Sequence, residues 1–243
     1  MPERILILGG TTGAREAADA LVERGHHVIT SLAGVTREPK LPAGLVRRGG
    51  FGGEAGLVAY ISAEGINTVI DATHPFATQI SMHAHSVAAG AGARLLRLER
   101  AAWTKPQDGD WRSVQSLADG LSGLASGARV LVTTGRRNLD VLATRPDLGG
   151  VVRMIEPPSG PLPSGWTLLL ERPPHDLDHE TELMRAHGIT HLVTKNSGGA
   201  ATHAKIAAAN ASGAEVLMIE RPEKPPCPTF SSVAMLIAAV GRR

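Results

Sequence analysis

The feature that most constrains this chain is an apolar run that ends, without a spacer, in glycine. Arg4-Ile5-Leu6-Ile7-Leu8 leads straight into Gly9-Gly10-Thr11-Thr12-Gly13, and an alanine-rich segment of helical spacing then runs to Arg24 and stops at Gly25. A strand buried on both faces has this continuous apolar character, and a glycine turn into a helix completes a parallel βα unit. Such a turn presents backbone N–H groups and a helix N-terminus to an anion, and a nucleotide diphosphate is the ligand it suits. The spacing G-x-G-x-x-G would place glycine at Leu8, Gly10 and Gly13; this chain has the last two and adds Gly9. The competing reading is a turn that serves packing alone. On the first reading, Gly9, Gly10, Thr11, Thr12 and Gly13 contact a cofactor.

The same rhythm continues. Residues 27–31 form a second strand that runs out in Thr30, Ser31, Leu32, Ala33 and Gly34, with Arg37 close behind. Sites that prefer NADH place an acidic residue there for the ribose hydroxyls. Hydroxyls with a nearby arginine suit a 2′-phosphate instead, so Ser31 and Arg37 point to NADPH; a solvated role for Arg37 is the alternative. A short strand at 45–47, a glycine cluster at 49–53, a helix over 54–64 and a strand over 68–72 follow. The last leads into Thr73-His74-Pro75-Phe76-Ala77, where Pro75 suits the start of a helix running to Ala89. A strand over 94–98 closes this half.

Residues 100–110 break the pattern and read as a linker, after which it restarts. Strands are expected at 129–133, 151–155, 166–170, 191–194 and 215–219, with helices over 177–187 and 200–211 and a last helix starting at Ser231 or Ser232. The expected fold is therefore α/β, with two Rossmann-like doubly wound parallel-sheet domains, residues 1–100 and 111–243, and a cleft between them. The first binds a dinucleotide; the second completes the cofactor and substrate cleft.

Three polar turns fall at strand ends, where open α/β sheets bind ligands. In the first, Asp71 and His74 stand three residues apart. His74 can deliver a proton or bind an acidic group, or it caps the helix; Asp71 is a structural acceptor or a catalytic carboxylate. Thr73 joins the cofactor candidates. The second turn, Thr134-Gly135-Arg136, offers cofactor contacts and an arginine able to clamp a carboxylate. The third, Lys195-Asn196-Ser197-Gly198-Gly199, combines a lysine with a helix-opening glycine pair and suits anion binding. Asp71, His74 and Lys195 are the catalytic candidates. His74 and Lys195 through Gly199 are the substrate-binding candidates, and His203 is a secondary one.

Composition removes other classes. With 25 basic and 23 acidic residues among 243, the net charge of +2 leaves no nucleic-acid footprint. The lone Cys227 excludes an intramolecular disulfide and a multi-cysteine metal site, and no metal is expected. No apolar run approaches the about 18 residues of a membrane span, and the opening residues lack the form of a signal peptide, so a cytoplasmic protein is expected. The only tyrosine, Tyr60, is followed four residues later by Glu64 instead of the lysine that a short-chain dehydrogenase requires. G-x-S-x-G, Walker and H-E-x-x-H motifs are missing.

Taken together, the motifs resemble the precorrin-6A reductases of cobalamin biosynthesis. The matching pieces are Leu8-Gly9-Gly10-Thr11 with Arg15; Asp71 through Ala77; Arg100 with Trp103; Thr133 through Arg136; Lys195 through Gly199 with Thr202; Ala204-Lys205; and Arg221-Pro222. They span nearly the whole chain in order. One departure is Ala101-Ala102, where the family more often has proline. The resemblance implies reduction, with NADPH, of one double bond of the precorrin-6A macrocycle to precorrin-6B. It also implies a tetrapyrrole rich in carboxylates as substrate and other enzymes of the pathway as partners. A non-catalytic NADPH-binding regulator and an NADPH reductase of another polycarboxylate are the alternatives.

Overall fold

The structure, a computed structural model, describes residues 2–34, 41–105 and 111–241. In chain order the first elements are β1 (Arg4–Leu8), α1 (Thr12–Glu23), β2 (His27–Leu32), β3 (Leu45–Arg48), α2 (Glu54–Ala63), β4 (Thr68–Asp71), α3 (Thr78–Ala88) and β5 (Arg94–Leu98). There follow β6 (Trp111–Val114), α4 (Leu117–Ser122), β7 (Arg129–Val132), β8 (Gly149–Met154), β9 (Trp166–Leu170), α5 (Leu177–Ala186), β10 (His191–Lys195), α6 (Ala204–Ala211) and β11 (Glu215–Ile219). The chain ends in β12 (Thr229–Phe230) and α7 (Val233–Val240).

Two compact units result: Met1–Ala101 together with Pro222–Arg243, and Ala102–Arg221. Each holds a six-stranded parallel sheet, in the order β3-β2-β1-β4-β5-β12 in the first and β9-β8-β7-β10-β11-β6 in the second. Both are the doubly wound order 3-2-1-4-5-6, with the sixth position filled out of sequence. In the first unit it is filled by a strand that arrives last, in the second by the strand that comes first.

Here the structure departs from the expected division at 111–243. The terminal segment returns to the first sheet because β5 offers an open edge. Arg97 N donates to Pro228 O at 2.8 Å and Glu99 N to Phe230 O at 2.9 Å. The α7 helix then buries Leu236 and Val240 against Ile5, Ala14, Leu21 and Leu96. Arg94 donates to the carbonyls of Ala239 and Val240 at that helix's C-terminus while pairing with the buried Glu3 at 2.9 Å. A cation there complements the helix dipole. A two-residue strand behind a run of prolines carries no alternation to read, which is why the return was not visible in sequence.

The opening strand behaves as its composition requires. Ile5 and Ile7 enter one core with α1 and α7, while Leu6 and Leu8 enter the other with Leu57, Ile61 and Val87 of α2 and α3. Ala14, Ala17, Ala18 and Leu21 recur at helical spacing on the buried side of α1. Thr11 caps that helix by accepting from Ala14 N at 3.1 Å.

Several local expectations also change. Pro75 lies inside a turn closed by Ala77 N to His74 O at 2.8 Å, and α3 starts only at Thr78. Its fixed φ suits a turn as well as a helix start. The single helix expected over 200–211 is a 3-10 turn, Ala200–Thr202, followed by α6. The polar turn after β7 leads into a 3-10 turn, Leu139–Thr144. The β6 strand and α4 lie in a stretch for which the sequence reading assigned no element. The final helix is capped by Ser232, whose hydroxyl accepts from Met235 N at 3.3 Å.

Candidate active site

Strand order reverses between β1 and β4 in the first sheet, where Leu8 pairs with Asp71, and between β7 and β10 in the second, where Val132 pairs with Val193. Beyond the C-terminal ends of such strands lies the ligand crevice of an open α/β sheet. All three polar turns and the opening glycine turn stand at these two points.

In the first unit the glycine turn has the backbone that a phosphate cradle demands. Gly9 N donates to Ser31 O at 2.9 Å, and a Cβ on Gly9 would lie 2.8 Å from the Thr30 methyl. Gly10 has φ +110°, with open space where a Cβ would stand. A Cβ on Gly13 would press on Leu98 at 3.3 Å, so this glycine sets the packing of α1 on the sheet. These are the three duties of glycines in a dinucleotide turn: tight turn, close ligand approach and close helix packing. Gly9 supplies the tight turn that the strict motif places one residue earlier. The first-turn N–H groups of α1 complete the electropositive end. The Thr11 hydroxyl is used in the cap and in a 2.8 Å bond to Ala72 O, which ties the glycine turn to the end of β4.

Asp71 is buried at that end. Its Oδ1 accepts from Thr73 Oγ1 at 2.7 Å and Thr73 N at 3.3 Å; its Oδ2 accepts from Arg97 Nε at 3.1 Å. Burial alone would raise the carboxyl pKa, but Lys224, Thr73, Ser81 and Arg97 together hold it below the usual aspartate value. Asp71 is thus an anion that shapes the turn. His74 Nδ1 accepts from Phe76 N at 3.3 Å. The histidine therefore helps to organise the turn through that nitrogen.

At the end of β2, Ser31 Oγ accepts from Arg47 Nη1 at 2.7 Å, so its own O–H remains to donate. Arg47 also donates to the carbonyls of Gly49 and Gly50, and its guanidinium lies 3.9 Å from the Phe51 ring centroid. Arg37 lies outside the described residues. Arg47 is the residue that sequence reasoning missed here; an arginine just ahead of a glycine cluster and an aromatic was its signal.

In the second unit, Lys195 Nζ donates to Thr134 O at 2.7 Å, which joins the second and third polar turns. Burial first, then the charge of Arg137, lowers the Lys195 pKa. Thr134 Oγ1 is buried with no hydrogen-bond partner, and the next residue, Gly135, has φ +85°. Arg136 borders a groove of about 350 Å³ with Asn138 and the 158–163 loop. Gly198 and Gly199 both have positive φ, +68° and +81°. Arg221 donates to the carbonyls of Asn196 and Ser197, at 2.8 and 3.1 Å, and so braces the turn from behind. The Asn196 carboxamide grips the backbone of Trp103, accepting from its N at 2.9 Å and donating to its O at 3.2 Å. The Trp103 indole donates to Gly199 O at 2.9 Å and meets His203 edge-on. Under it lies Lys205, fully buried, with its pKa pushed down to about 8 by burial and then by Arg153, against the opposing pull of Glu180.

One cluster of metal-ligating type occurs among the described residues. Glu171, His175 and His179 bring ligand atoms within 4.8 Å of one another. The two rings are stacked at 15°, however, and an ion must lie in the plane of each imidazole it binds. Arg153 Nη1 stands 3.7 Å from Glu171 Oε2 and already supplies a cation.

Fold and turns together define an α/β protein of the doubly wound, Rossmann-like class, with a second sheet of the same strand order. Comparison with known proteins narrows this. Residues 4–241 match the model of the family described as precorrin-6x reductase CbiJ/CobK. A precorrin-6A reductase from Rhodococcus erythropolis is 46% identical over 241 residues, covering 98% of this chain and 97% of the relative. One from Rhodobacter capsulatus is 40% identical over 243 residues, covering 98% and 97%. A solved structure of CobK precorrin-6A reductase superposes with a TM-score of 0.91 at 38% identity, covering 98% of this chain and 96% of the other. The chain belongs to the precorrin-6x reductase CbiJ/CobK family.

Proposed function

We propose that this protein reduces one double bond of precorrin-6A, with NADPH as reductant, to give precorrin-6B in cobalamin biosynthesis. One observation carries the reading: the family match runs through both units, 4–241, and the chain's motif turns stand at the switch points of both sheets. A bound nicotinamide would supply a hydride to one carbon of the double bond while the neighbouring carbon takes a proton.

The glycine backbone at Gly9–Gly13 and the start of α1 hold the diphosphate; Thr11 and Thr12 contribute their N–H groups. Ser31, presented by Arg47, donates to the 2′-phosphate, and Arg37 adds charge. Thr73 acts through Asp71 and keeps the turn's shape. Asp71 is a positioning carboxylate, since an anion held below its usual pKa is a poor proton donor. His74 delivers the proton or orients a substrate carboxylate. Lys195, Arg136 and the Ser197–Gly199 backbone bind the acetate and propionate groups of the macrocycle, and the unpartnered Thr134 hydroxyl suits a further acceptor there. Asn196 contributes indirectly, by its grip on Trp103.

The test is oxidation of NADPH by purified protein with and without precorrin-6A, beside an NADH control. Substrate-dependent oxidation supports the reading. Tight NADPH binding without turnover would favour a cofactor-sensing regulator, and turnover confined to another polycarboxylate would move the substrate assignment.

A further inference from the structure

The segment that returns to the first unit carries a buried charge to the foot of the His74 turn. Lys224 has a side chain 6% exposed, with Nζ 3.1 Å from Glu99 Oε2 and 3.9 Å from Asp71 Oδ2. Arg97, also buried, binds Asp71 Oδ2 through Nε and the Pro225 carbonyl through Nη1 at 3.0 Å. Cys227 faces the same charges, its thiol pushed up by burial with Arg97, Asp71 and Lys224 all acting on it. Two cations and two carboxylates thus meet in a space where an unmatched charge is costly.

The cluster touches the site through one group. Asp71 divides its oxygens: Oδ2 faces the cations, and Oδ1 accepts both Thr73 bonds that open the turn. A neutral carboxyl would turn one oxygen into a donor and could no longer serve all of these partners.

We propose that Lys224 is a positioning residue for the reduction: its buried ammonium fixes the Asp71 carboxylate that shapes the Thr73–His74 turn. This rests on the functional reading above. Lys224 comes from a segment more than 120 residues beyond β5 in sequence, yet its ammonium lies between Asp71 and Glu99. The other charged and titratable groups facing Asp71 are Arg97, Glu99 and Cys227, and Ser81 of α3 adds a hydrogen bond.

The experiment compares full-length wild type, Lys224→Met and Lys224→Arg. The methionine variant is expected to lose about 10- to 100-fold in kcat, the cost of a misplaced catalytic group. Its NADPH Kd should stay within about twofold, since the glycine turn is untouched. Without Lys224 the Asp71 pKa rises, so the acid limb of the rate profile should move to higher pH; a merely structural lysine would not move it. Lys224→Arg should restore most of kcat, and Asp71→Asn combined with Lys224→Met should be no slower than Asp71→Asn alone. Lys224→Gln carries the same test should the methionine variant not fold. Wild-type kcat and an unmoved acid limb in the uncharged variant, or additive losses in the double variant, would overturn the proposal. Failure of the wild type to turn over precorrin-6A would instead overturn the functional reading. In that case the His74 imidazole resonances still decide: they should differ between wild type and Lys224→Met, and identical resonances would sink the inference.

Discussion

Lys195 and Thr134 are joined by a 2.7 Å hydrogen bond from ammonium to carbonyl, made across the point where strand order reverses in the second sheet. The bond aligns two turns that lie 61 residues apart and leaves the lysine's charge beside an arginine. A lysine so placed is half-desolvated before any ligand arrives, which strengthens its pull on a carboxylate.

From this, Lys195→Met is expected to raise KM for precorrin-6A about 10- to 100-fold, the range of one hydrogen bond to a charged group. NADPH affinity should be largely kept. Burial and Arg137 lower the Lys195 pKa, so its charge is lost on the alkaline side earlier than that of an ordinary lysine. KM should therefore rise as pH rises through that lowered value, and Lys195→Arg, which stays charged, should move the limb upward. Steady-state kinetics across pH checks both; collapse of cofactor binding instead would place Lys195 at the nucleotide.

Cofactor choice is tested at the end of β2. Ser31→Ala is expected to weaken NADPH about tenfold while NADH changes by less than about twofold, because only the phosphate uses the hydroxyl's proton. Arg37→Ala should act in the same direction. Equal losses for the two cofactors in a titration would remove both residues from phosphate recognition.

Asp71 makes a prediction about stability. Its pKa is lowered on folding, so its contribution is present above the unfolded value and is lost as pH falls through the folded one. Wild-type unfolding free energy should therefore decline on the acid side, below about pH 4. Asp71→Asn should lose that part of the decline and be less stable at pH 7 by about 3 kcal/mol, since two buried cations lose a counter-charge. Denaturant melts across pH measure this.

Lys205 works with the opposite sign. With a folded pKa of about 8 against about 10.4 unfolded, the unfolded chain binds more protons between those values, so stability should rise with pH across that window. Lys205→Met should flatten the rise and be more stable at pH 7 by about 2 kcal/mol, provided Arg153 and Glu180 keep their 2.7 Å pair. A variant whose stability still climbs between those pH values would contradict this.

Much of the first unit was legible because β1 and its turn state their geometry in residue type: an apolar run, then glycines, then alanines at helical spacing. The polar turns were legible as well, since their residues follow apolar strands directly. Individual roles were less so. Asn196 and Thr73 look like ligand contacts in sequence, which does not show the bonds that their side chains also make within the protein. Arg97 and Lys224 gave no signal because their partner, Asp71, is remote in sequence. The return of β12 was hidden for a related reason: two residues beside proline cannot show a period, and only the open edge of β5 explains where they go.

The measurement that tests the central claim most directly follows isotope from cofactor to product. NADPH carrying deuterium at the transferable nicotinamide C4 position is incubated with the protein and precorrin-6A, and the product is read by mass spectrometry. The account predicts a product heavier than the substrate by one deuterium from the cofactor and one hydrogen from solvent. A product without cofactor-derived deuterium, or NADPH that binds and leaves precorrin-6A unchanged, would contradict it.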